Sequence, residues 1–221
     1  MKLSEIVKQL GVGELSQVAM GRGENADADI PPEQYSKIIA HLNLGLTTLH
    51  RRFVLRTDTQ IITLVPGQYL YPMTKGNVLK IEGVAKPEGD KFSLNDNANM
   101  YSMSTPSMKE LEVPKAIVDK VQGLPEKYLT DQLVVEYRAN HPLILDTATA
   151  DDEVDLPYSH LQALLYFIAS RVHNPIGMIN EFNMGNNYAS KFEQECQRLE
   201  IEGLAIDQGG QQDRASRNGW V

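Results

Sequence analysis

The sequence predicts an α+β fold: a helical bundle of one long N-terminal helix plus a C-terminal helical hairpin, an antiparallel β-rich part, and an extended C-terminal tail. Three observations predict it. Apolar residues recur at steps of three and four from Tyr35 to Phe53, and again through Leu161–Val172 and Phe182–Leu199, the spacing of a buried helical face. Between these stretches, β-branched and aromatic residues alternate with turn signals such as Pro66-Gly67, which is strand texture. From Gly209 to Val221 the polar run GGQQDRASRNGWV has no period, and it buries too little apolar surface to offset its own ordering entropy. The expected division is a helical domain over 1–52 and 151–208, a β-rich domain over 53–150, and the tail over 209–221.

Taken in order, Ser4 is placed to cap a short helix ending at Gly11, and Gly11, Gly13, Gly21 and Gly23 break up the next segment. The first strong element runs from Pro31 to about Arg52. Asp29 serves its start, and Pro31 and Pro32 occupy a first turn whose N–H groups have no helical partner anyway. Ile38, Ile39, Leu42, Leu46, Leu49 and Phe53 draw its stripe. Thr57, Thr59, Ile61, Ile62 and Thr63 then read as a strand, Tyr69-Leu70-Tyr71 as another, and Val78 to Ala85 as a third. Lys86 to Pro114 reads as one long polar loop, and loops of that length are functional or partner-bound as a rule. Lys115–Val121 and Gln132–Arg138 read as a β-hairpin joined through Gly123-Leu124-Pro125.

The C-terminal third is helical. Asp151, Asp152, Glu153 and Asp155 precede Leu156-Pro157, where acids complement the positive end of a helix dipole. Tyr158, Tyr166 and Phe167 widen the stripe of the next helix, so it is expected to be buried on two sides, and Asn174-Pro175 ends it. A second helix is expected over roughly Asn180–Leu204.

Composition excludes several classes of function. Hydrophobic residues at 42% and charged residues at 23% of 221 are ordinary for a globular chain. A net charge of −8 argues against gripping nucleic acid by its phosphates, yet suits a wall past which DNA slides. Cys196 is alone, which rules out an internal disulfide and points to a buried thiol. MKLSEIVKQL carries an acid and does not read as a signal sequence, and no apolar run approaches the ~18 residues of a membrane span. A soluble, non-secreted protein is expected.

Chemistry-bearing motifs are sparse. Gly11-Val12-Gly13 and Gly21-Arg22-Gly23 lack the Lys-Ser/Thr partner of a phosphate cradle. His41, His50, His141, His160 and His173 show no metal-ligand spacing. The acidic run Asp151–Asp155 has neither the carbonyl pattern nor the glycine bend of a hard-cation loop, and Asn95-Asp96-Asn97 starts like one without completing it. Ser102, Ser104 and Ser107 have no identifiable base. No catalytic, cofactor-binding or metal-ligating residue is assigned. Association surfaces remain. Arg51, Arg52 and Arg56 either complement a helix C-terminus or clamp the acids of a neighbouring copy, Asp151 and Asp152 among them. Trp220 is the sole tryptophan, a residue type that anchors interfaces. Arg214 and Arg217 suit a segment seeking acidic groups, and a segment folded back on its own body is the plainer alternative.

The stretch LPYSHLQALLYFIASRVHNP, with EFNMGNNYASKFEQECQRLE after it, is similar to the closing helical hairpin of phage head-to-tail adaptor (connector) proteins. IPPEQYSKIIAHLNLGLTTLHRRF, then TQIITLVPGQYLYPM, resembles the helix and strand pair that open that fold. Lys86–Pro114 departs from the family pattern. The resemblance implies a structural virion protein with no enzymatic activity and no cofactor. Its copies would form a dodecameric ring in the neck of the virion after assembly in the host cytoplasm. Helices would dock under the portal protein, the β-rich part would face the tail nozzle or tube, and DNA would pass through the lumen without specific binding. It also implies a portal-docking role for Arg214, Arg217, Trp220 and Val221. Two other classes stay open: a metal-dependent hydrolase using Asp151–Asp155, and a generic protein-interaction domain.

Overall fold

Leu3, Ile6, Val7 and Leu10 fall on one helical face, and all four are buried in the computed structural model, which describes residues 1–16, 32–145, 147–149, 151–173 and 179–203. They form helix α1 (Leu3–Val12). Its start is fastened to residues 152–154: the Met1 amine donates to the Val154 carbonyl at 3.0 Å, and Leu3 N–H donates to the Asp152 carbonyl at 2.9 Å. Helix α2 (Pro32–Arg52) lays Ile38, Leu42, Leu46 and Leu49 into the same core. Helix α4 (Leu161–His173) is buried nearly all round, at Leu161, Ala163, Leu164, Leu165, Phe167, Ile168 and Ala169, which is why its apolar pattern is wider than one stripe. Helix α5 (Ile179–Ile201) adds Phe192, Cys196 and Leu199, with Phe192 edge-on to Phe167 at 5.4 Å. Together with the chain from His141, these helices form one unit around one core. Residues 141–145 run as a strap on α2: Asn43 donates to the Ile144 carbonyl at 2.8 Å and accepts its N–H at 3.0 Å.

Residues Arg56–Asn140 form a second unit with its own core. One antiparallel sheet has the order β1 (Thr57–Thr63), β7 (Gln132–Ala139), β3 (Val78–Ala85), β4 (Lys91–Phe92). A second has the order β2 (Leu70–Pro72), β6 (Glu110–Glu112), β5 (Ser104–Ser107). In the central strand β7, Leu133, Val135, Tyr137 and Ala139 point inward at the period of two that a half-buried strand requires. Helix α3 (Lys115–Val118) packs Ile117 and Val118 onto this core.

The architecture corrects three expectations. The helical bundle of a long N-terminal helix and a C-terminal hairpin is not what the chain builds. The N-terminal helix is the short α1, the described residues comprise five α-helices and two separate antiparallel sheets, and no hairpin turn joins helices among them. The short N-terminal helix read as capped by Ser4 instead starts at Leu3 with Lys2 at its cap position and runs to Val12. Lys86–Pro114 is not one loop, because β4, β5 and β6 lie inside it and β6 pairs with β2 through Tyr71 and Leu111. Lys115–Val121 is not a strand. Pro114 presets its start, and the turn is closed by Val121 N–H to the Ala116 carbonyl (3.1 Å) and Lys120 N–H to that of Ile117 (3.4 Å). That is a Schellman ending with Lys120 at φ +49° in the left-handed position.

Candidate interaction surface

Among the described residues strand β1 pairs only with β7, so no described strand lies along its other edge. Its register, Thr57 opposite Arg138 through Thr63 opposite Gln132, is unbroken. Ala139 N–H donates to the Arg56 carbonyl and Leu64 N–H to that of Asp131, both at 2.9 Å. An antiparallel ladder alternates bonded and non-bonded pairs, so Asp58, Gln60 and Ile62 face β7 with their backbone groups. Those of Thr57, Thr59, Ile61 and Thr63 then face outward. Natural sheets guard such an edge, and here the guard covers one half. The Asp58 carboxylate accepts Thr59 N–H at 2.8 Å, and Lys75 Nζ donates to the Thr59 carbonyl at 3.1 Å. Thr74 N–H donates to the Gln60 side chain at 3.0 Å. Beyond Gln60 the edge is open, and the Ile61 side chain is 65% exposed.

The open half leads into a cleft of about 200 Å³ lined by Leu64, Pro66, Val118, Asp119, Lys120 and Asp131. Val65 stands between two of these residues and Val121 comes directly after a third, and both are half exposed. Asp119 is held in place by Gly67 N–H at 3.1 Å and the Tyr69 hydroxyl at 2.9 Å, which it raises in pKa by accepting that proton. Gly67, at φ +79°, makes the turn that brings its N–H to Asp119. Asp131 pairs with Lys120 and remains largely exposed. The arrangement is a strand edge followed by a recess whose lining is half apolar (Leu64, Pro66, Val118) and half charged (Asp119, Lys120, Asp131).

The residues singled out from sequence fall elsewhere. Arg214, Arg217, Trp220 and Val221 lie outside the described residues. Arg52 is engaged within its own chain, donating to Glu200 at 2.7 Å and Glu193 at 2.6 Å, and so ties the end of α2 to α5. Both hydrogen bonds hold its guanidinium in the charged form. Arg51 is exposed, and Arg56 sits half-buried at the start of the β unit. Asp151 pairs with Lys2 at 2.8 Å; that hydrogen bond and charge depress the Asp151 pKa and raise the Lys2 pKa. Asp152 accepts the N–H and hydroxyl of Thr149 at 2.9 and 3.2 Å. Asp155 N–H donates to His141 Nε2 at 3.0 Å, which requires that ring nitrogen to be unprotonated. Cys196 is fully buried, and burial pushes its thiol up to about 11, against the opposing pull of Arg52. Such a thiol is a packing group and a poor nucleophile. Among the described residues no cluster of three or more His, Cys, Asp or Glu is placed to hold a metal ion, and no helix is long and apolar enough to cross a membrane.

Sequence reasoning placed Ile61 in a strand without a surface role and passed over Val65 and the cleft. The available signal was Ile61-Ile62 at the end of a threonine-rich strand: one isoleucine must face inward and the other must face out. No protein-family model matches the chain, and no curated protein matches its sequence.

Proposed function

We propose that the protein is a structural virion component, an adaptor whose copies form a ring joining the portal to the tail around the DNA channel. The observation that carries this reading is the half-guarded β1 edge opening into a cleft, a surface shaped for an extended segment of another chain. The resemblance of the 30–53, 59–73, 156–175 and 181–200 stretches to phage adaptors supports it, and so does the acidic balance, since a wall of net charge −8 does not hold phosphates. No reaction is assigned. The adaptor acts by association, and its specificity rests on which surfaces meet.

The test is the mass of the purified chain, alone and mixed with a portal ring, combined with low-magnification images of the mixture. A closed ring seated coaxially on the portal is expected. A chain that remains monomeric and leaves the portal bare overturns the reading.

A further inference from the structure

We propose that Asp58 and Lys75 form a charged plug on the β1 edge: they occupy both outward backbone groups of Thr59 and so keep a second copy of this chain from pairing along that edge. The plug acts whether or not copies form a ring. The Asp58 carboxylate accepts Thr59 N–H at 2.8 Å, and Lys75 Nζ donates to the Thr59 carbonyl at 3.1 Å. Lys75 also donates to Asp58 at 3.1 Å, which closes the plug on itself. Of the outward residues of β1, Thr57 is thereby cut off from Ile61 and Thr63.

The fold holds both halves of the plug in place. Asp58 lies opposite Tyr137 of β7, which is fully buried and donates its hydroxyl proton to the carboxylate at 3.2 Å. Lys75 sits in a segment fastened on both sides. Met73 is buried and its N–H donates to the Lys109 carbonyl at 2.7 Å, while the Asn77 carbonyl accepts Asn140 N–H at 2.7 Å. The bond from Thr59 N–H, and then that from Lys75, hold the Asp58 carboxyl below its ordinary pKa, so the plug is charged at neutral pH. A strand arriving at Thr59 must displace a carboxylate and an ammonium, and burying either one unpaired is costly. Lysine on an edge strand guards natural sheets in this way. Self-pairing meets the plug twice. An antiparallel ladder that uses Thr59, Ile61 and Thr63 sets Thr59 of each copy opposite Thr63 of the other, so both of its ends are blocked. What remains, Ile61 to Thr63, is at the short end of natural strand lengths, roughly 3–10 residues.

The test follows mass across a dilution series for the full chain and its variants, each with its fold verified by circular dichroism. Lys75→Met combined with Asp58→Ala is expected to associate at about tenfold lower concentration than the native chain. Thr63→Pro, added to that pair, removes an outward N–H and leaves the β1–β7 bonds in place; it is expected to return association to the native level. Lys75→Arg keeps the charge and the donor and is expected to match the native chain. Asp58→Ala also takes the acceptor from Tyr137, so Lys75→Met alone serves where the double variant does not fold. It opens the Thr59 carbonyl and is expected to associate more readily than the native chain. A folded variant without the plug that associates no more readily than the native chain overturns the inference, and so does an association that Thr63→Pro leaves unchanged. The native chain is the baseline whether or not it forms a ring, so either result leaves the ring reading to its own test against the portal.

Discussion

At the scale of single residues, His160 shows how burial becomes pH dependence. It is 1% exposed, edge-on to Phe53 with centroids 4.7 Å apart, and its Nε2 meets no hydrogen-bonding partner among the described residues. Desolvation holds its pKa below the ordinary value of histidine. The unfolded chain therefore binds the proton more readily than the folded one. The contribution of the neutral ring is complete above the unfolded pKa of ~6.5 and is lost as pH falls from there through the folded value. His41 moves in the same direction, first by burial and then by the charge of Arg171. The thermal midpoint is expected to hold steady above neutrality and to fall below about pH 6. His160→Phe is expected to reduce that fall without abolishing it, because His41 remains. A midpoint that does not respond to acid in this range contradicts the assignment.

At the scale of elements, the contact between α2 and α4 turns on Gly45. A β-carbon there would lie 2.7 Å from Leu164 Cδ1 and 3.0 Å from Phe167 Cδ1. Alanine in place of glycine gains about 1 kcal/mol of helix propensity, and overpacking a filled core costs about 1–3 kcal/mol. Leu164 is fully buried and Phe167 nearly so, which leaves little room to yield. Packing therefore wins: Gly45→Ala is expected to destabilise the fold by about 1 kcal/mol in urea titration, and a stabilised variant would show that the two helices part freely. The helix itself was legible from its stripe, but the need for glycine at position 45 was not, since the clashing atoms belong to residues more than a hundred positions away. The elements that sequence reading missed are short for a related reason. Strands β4, β5 and β6 span two to four residues and α3 spans four, so neither a period of two nor one of 3.6 completes itself. Ile117-Val118 even favours a strand locally, and its burial against the β core overrides that preference.

At the scale of the whole molecule, the chain enters the β unit at Arg56 and leaves it at Asn140, and those ends are neighbours: Ala139 N–H donates to the Arg56 carbonyl at 2.9 Å. The unit has its own core of Ile62, Val84, Leu111, Val135 and Tyr137, among others. Excised as residues 56–140, it is expected to fold alone with a cooperative thermal transition and a near-ultraviolet dichroism signal. A non-cooperative melt would show instead that its core depends on the helices.

By itself the sequence determined which stretches are helical wherever an apolar stripe runs two turns or more, as in α2 and α4. It also determined the acidic charge and the polar C-terminal segment with its lone tryptophan. These are local or summed properties, written where they act. Only the tertiary structure decided that β1 pairs with β7 and with no other described strand, that Lys86–Pro114 supplies strands to a second sheet, and that Leu64, Val118 and Asp131 converge on one cleft. Pairing joins Thr57 to Arg138 across most of the β unit, and no local pattern names a strand's partner. Which edge remains open, and what lies at its end, is settled only when every other strand has been placed.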